Sequence, residues 1–208
     1  AALNIDNAKI NTENNTLLQV LDNEDSAATD PNNEGMVFEN KYYEEKEGWL
    51  GLENDTLYKA GKNDKATTEA INVTNATLSG DIYNGSGYKQ MAAELNVTLG
   101  KGANLTGAIS ASTIKHTTDG GKTQNTNIPM SKYYQFGHVI NKAYYNGAND
   151  VNLTLTDDAV WNVKDESIVT SLTVGANAKI NGTVYVNGTK TTVEAGKTYT
   201  GTITVKPL

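Results

Sequence analysis

The chain has 208 residues, with 24 acidic against 17 basic side chains and a formal net charge of −7. That balance speaks against a nucleic-acid partner. Every basic residue is a lysine, which removes bidentate recognition of phosphate or carboxylate, and the absence of cysteine removes disulfides and thiolate metal sites.

A short unit recurs along the chain. Residues 5–10 read IDNAKI, residues 52–57 LENDTL and residues 73–78 VTNATL. Each is an aliphatic residue, a few turn formers around Asn7, Asn54 or Asn75, and another aliphatic residue. Asn, Asp and Gly tolerate left-handed backbone, so they suit a tight corner between strands. Residues 99–105 (LGKGANL) form a longer version. After the corner comes an apolar residue, a small polar one, Gly, any residue, then Ile or Val. This occurs at 78–82, 105–109, 180–184 and 199–203. Period-two alternation sends the apolar members inward and Thr and Asn outward. Asn and Thr make up about a quarter of the chain, as exposed β faces and corners require.

Two segments interrupt the units. An acidic insertion lies near 21–48. Within 21–47 it carries nine acids and two lysines, which equals the net charge of the whole chain. It reads as a solvated segment; no EF-hand spacing or glycine-rich calcium repeat is present, so no metal site is assigned. It also contains Tyr42, Tyr43 and Trp49. A second insertion near 112–149 is rich in aromatics: Tyr133, Tyr134, Phe136, Tyr144 and Tyr145. Aromatic rings with a polar tip suit sugar faces and protein interfaces. Tyr133, Tyr134, Tyr144 and Tyr145 are therefore the expected ligand-binding residues. The two histidines, His116 and His138, also fall here, without ligand-like spacing.

The C-terminal third is the most regular. Trp161, Ile180 and Tyr199 lie 19 residues apart, as do Leu155, Val174 and Val193. A short β repeat cannot bury a core alone and must stack on copies of itself. The expectation is one all-β domain over 1–208, a β-solenoid with coils of about 19–26 residues in which these triplets stack. An antiparallel β-sandwich is the alternative, since Asn84-Gly85, Asn146-Gly147 and Asn187-Gly188 are hairpin signals. Thr154 and Thr156 are followed at the next coil by Thr173 and Gly175, so a stacked Thr-x-Thr face is not expected. The acid pair Asp157-Asp158 fills a corner slot, and no nucleophile elbow occurs around any serine. No catalytic residue and no cofactor is assigned.

The run 151–188, VNLTLTDDAVWNVKDESIVTSLTVGANAKINGTVYVNG, resembles coils of bacterial autotransporter passenger domains and related surface adhesins. The matching residues are Leu153, Leu155, Trp161, Val163, Ser171, Leu172 and Val174. The resemblance implies a single-stranded right-handed parallel β-helix, display at a bacterial cell surface or secretion, and adhesion to a glycan or host surface protein. Service as a structural stalk is a further role of the same kind. It carries over no binding residue. The chain departs from true autotransporters in ending without a membrane barrel. No run is long and apolar enough for a transmembrane span, and residues 1–7 carry no leader pattern, as in a secreted chain with its signal removed or an excised domain. The competing function is a glycan-active β-helix enzyme, a lyase or hydrolase; the lack of arginine counts against it.

Overall fold

Alternating aliphatic and Asn/Thr residues form strands that bury one face. In the computed structural model, which describes residues 1–20, 35–37, 67–86, 93–116, 127–129 and 139–208, they are β1 (Ala2–Val20), β2 (Gly35–Val37), β3 (Thr67–Asn84), β4 (Ala93–Leu99), β5 (Asn104–Gly107), β6 (Ile109–His116), β7 (Asn127–Pro129), β8 (Val139–Ala143), β9 (Val151–Leu155), β10 (Val160–Val163), β11 (Ser167–Val174), β12 (Lys179–Asn181), β13 (Thr183–Val186), β14 (Thr189–Lys190) and β15 (Thr198–Lys206). No helix occurs among the described residues. Thirteen strands make one sheet, and β2 pairs with β7 in a separate antiparallel pair.

β3 shows why the sheet curls. Its early residues pair with β4, its middle with β5 and its end with β6, all in parallel. The chain turns between these stretches at Asn75 (φ 46) and Gly80 (φ 149). β1 lies beside β3 and turns at Asn7 (φ 53) and Asn15 (φ 63). Left-handed backbone costs Asn less than most residues, because its short amide can bond locally. Gly107 (φ 155) sits against Gly80, and a Cβ on Gly107 would run into the Gly80 carbonyl. That approach explains the motif's glycine at 107; a Cβ on Gly80 would instead meet Thr12 Oγ1 and Leu17.

The core is built from stacked rows. Val73, Leu99, Leu155 and Val174 form one row; Leu78, Leu105, Trp161 and Ile180 form another. The interval of 19 is therefore a real parallel register from Trp161 to Ile180 and from Leu155 to Val174.

The all-parallel β-helix is not what forms, and neither is a two-sheet sandwich. The chain makes one mixed sheet curled into a half-barrel. β15 runs antiparallel to β11 and β13, β13 antiparallel to β14, and β8 antiparallel to β6. Tyr199 consequently sits opposite Leu172 instead of following Ile180, and Val193 lies outside any strand. The reason is turn chemistry. Asn187 (φ 48) and Gly188 (φ 82) both take left-handed backbone and close the two-residue hairpin between β13 and β14. The 19-residue spacing persists in the sequence, but the hairpin reverses the chain before a further parallel turn can form.

Candidate functional site

A groove of about 730 Å³ crosses the outer surface where β9, β11 and β15 meet. It is lined by Tyr145, Asp150, Asn152, Thr170, Ser171, Asn187, Thr200, Gly201 and Thr202. Outward-pointing strand residues supply its floor. Asn152 pairs with Ser171, and Ser171 with Thr200, so amide and hydroxyls form one row across three strands.

The aromatic wall is held by buried amides. Asn149 is fully buried, and its Nδ2 reaches the carbonyls of Tyr144 (3.0 Å), Ser112 (3.2 Å) and Asn84 (3.3 Å). Its Oδ1 accepts from the Asn146 amide at 3.0 Å. Asn84, also fully buried, donates to the carbonyls of Ala93 (2.7 Å) and Asp150 (2.9 Å). Asn146 accepts from the Ala148 amide and donates to the Ser86 carbonyl. Buried backbone must find partners, and here three asparagines provide them while fixing the chain from Tyr144 to Asp150.

Tyr145 lies beside the Asp150 carboxylate, whose influence raises the phenol's pKa above its ordinary value, with burial adding to it. Asp150 Oδ1 is buried with no hydrogen-bond partner among the described residues. Asn152 Nδ2 donates to Glu94 Oε1 (2.9 Å) and Asn96 Oδ1 (3.0 Å). Thr170 Oγ1 accepts from Val151 N and donates to its carbonyl, both at 3.0 Å. Among the described residues lining the groove, Asp150 supplies the one carboxylate.

Of the four expected ligand-binding tyrosines, Tyr145 lines this groove and Tyr144, 55% exposed, is its chain neighbour. Tyr133 and Tyr134 lie outside the described residues, as do Phe136, His138, Tyr42, Tyr43, Trp49 and almost all of the acidic insertion. His116 closes β6. The supporting asparagines were missed because Asn84-Gly85 and Asn146-Gly147 match a hairpin turn. Their side chains bond distant backbone instead, and only contacts far apart in the chain reveal that.

Other acids have structural work. Asp157 (φ 53) makes the expected corner, and Asp158 Oδ1 accepts from Gly102 N at 2.8 Å. Asp81 Oδ1 accepts from Ala108 N at 2.7 Å. Burial, with Asp165 nearby, raises the Asp81 pKa. No group of three or more metal-ligating side chains occurs among the described residues. No described helix is long and apolar enough to cross a membrane. One Thr column stacks, Thr98, Thr154, Thr173 and Thr198 in register on four strands, but no Thr-x-Thr face forms, as the sequence indicated. The neighbouring column is broken by Gly100 and Gly175, which abut Thr156. No family model, curated protein or solved structure matches this chain.

Proposed function

We propose that the protein is a non-catalytic extracellular or cell-surface module that binds a neutral glycan in the groove beside Tyr145. The carrying observation is the lining: a phenol, one carboxylate, amides and hydroxyls, with an exposed Tyr144 alongside. Hydroxyl-rich ligands need closely spaced donors and acceptors plus an aromatic surface, and this groove offers both. The net charge of −7 disfavours anionic glycans at low salt. The reading rests on the groove, because the β-helix implied by the adhesin resemblance is not the observed fold.

Glycoside hydrolysis ordinarily requires two carboxylates flanking the bond, and the described groove lining supplies one. The test is a glycan array followed by calorimetry with Tyr145→Phe and Asp150→Asn. Loss of about tenfold in affinity in each variant, with unchanged melting, supports the site. Release of reducing ends from a bound glycan, abolished by Asp150→Asn, would make the protein an enzyme.

A further inference from the structure

β1 is an edge. Among the described residues it pairs with β3 alone, whereas the flank of β11 is closed antiparallel by β15. Its inward residues continue the core rows. Leu3, Ile5, Ala8 and Ile10 stand in register with the fully buried Ile71, Val73, Ala76 and Leu78. Yet Leu3 is 42% exposed, and Ile5, Ala8 and Ile10 are half-buried. A long edge with a half-covered apolar row is a template for another strand.

The residues on that edge are complementary to themselves. The inward alternation changes phase at the Asn7 corner: Leu3 and Ile5 point inward before it, Ala8 and Ile10 after it. Two copies of β1 placed antiparallel about a two-fold axis beside this corner keep inward residues opposite inward ones in few registers. The register that sets Ile5 against Ile10 also sets Asn4 against Asn11 and Asp6 against Lys9, with Asn7 and Ala8 meeting at the corner. The adjacent phase-matched register, Ile5 against Ala8, leaves Asp6 facing Asn7 and Lys9 facing Asn4. Charge therefore selects the first. Asp6 and Lys9 are both exposed, and two-fold symmetry makes their pairing twice. Asp6 accepts from Thr74 Oγ1 (2.7 Å) and Asn75 Nδ2 (3.1 Å) of the neighbouring β3, bonds that favour its ionised form.

We infer that β1 is a homotypic interface, through which two copies of this chain join edge to edge with Ile5 against Ile10 and Asp6 against Lys9. The surface is separate from the Tyr145 groove and does not depend on it.

Sedimentation of the full chain over the micromolar range tests this. A reversible dimer is expected that weakens as salt rises. Lys9→Glu, which sets like charges opposite each other twice, should raise the dimer Kd by about tenfold or more. The exchange Asp6→Lys with Lys9→Glu should return Kd to within about threefold of the wild type. Asp6→Lys also loses the Thr74 and Asn75 bonds, so a second readout is used. The chain has no cysteine, and a chain carrying Asn4→Cys and Asn11→Cys should oxidise to a covalent dimer while either single variant does not. A monomer throughout the range, indifference to Lys9→Glu, or cross-linking by a single variant would overturn the inference.

Discussion

Trp161 and Gly107 are joined across the core. The indole Nε1 donates to the Gly107 carbonyl at 2.9 Å, and the whole side chain is fully buried. The bond satisfies a carbonyl at the corner where Gly107 presses on Gly80, so one side chain both fills the core and completes the backbone there. Trp161→Phe keeps most of the ring but leaves that carbonyl unmet, which should cost about 1–3 kcal/mol. Trp161→Ala adds a cavity and should cost about 3–5 kcal/mol. Urea denaturation of both variants checks the order; a Trp161→Phe variant as stable as wild type would mean that the hydrogen bond contributes nothing.

Gly107→Ala addresses the corner itself. A Cβ there meets the Gly80 carbonyl, a backbone atom that cannot swing away. Overpacking of this kind costs about 1–3 kcal/mol, and left-handed backbone adds to it. Gly188→Ala, where nothing lies within 4 Å of an added Cβ, should cost less. A melt in which Gly188→Ala is the worse variant would contradict the close stacking of the two glycines.

Strands and corners were legible in the sequence because they follow from local rules. Asn7, Asn75 and Asp157 turn the chain as their residue types suggest, and Trp161 stacks on Ile180 as their spacing requires. The failure came where two local signals competed. The 19-residue interval points to one more parallel turn through Tyr199, while Asn187-Gly188 points to a hairpin; the hairpin prevails and β15 reverses. Periodicity cannot rank such signals, because strand direction depends on which partner is reached. At the candidate site, Tyr144 and Tyr145 stood out as aromatics. Asn149 and Asn84 did not, since a buried asparagine looks like any other in a chain so rich in them.

Asn149 offers a direct test of that support. Replacing it by Ala strips the Asn146 amide of its acceptor and the Tyr144, Ser112 and Asn84 carbonyls of a donor. Each unmet buried group costs about 1–3 kcal/mol, so a total loss of about 4 kcal/mol or more is expected. Tyr145 should also lose its fixed place, so any ligand of the groove should bind more weakly than the stability loss explains. Hydrogen exchange at residues 144–150 would show the loosening; protection equal to wild type would remove Asn149 from this role.

Asp81 should make stability depend on pH in the direction opposite to most carboxylates. Burial is the main cause of its raised pKa; Asp165 adds repulsion, and the Ala108 amide bond opposes both in part. The folded state therefore holds this proton more tightly than the unfolded chain does. Between the ordinary Asp range and the raised folded value, the folded state binds more protons, so stability falls as pH rises through that window. The contribution is fully present below the unfolded pKa and is lost above the folded one. Asp81→Asn imitates the protonated form, and its Oδ1 can still accept from Ala108 N. The variant should be more stable than wild type at pH 7, and the difference should close as pH falls below about 4. Asp165→Asn removes the like charge and should bring the Asp81 titration, followed by carboxyl-carbon NMR, back toward its ordinary range. A destabilised Asp81→Asn at pH 7 would mean that the ionised carboxylate's bond to Ala108 outweighs the burial of its charge.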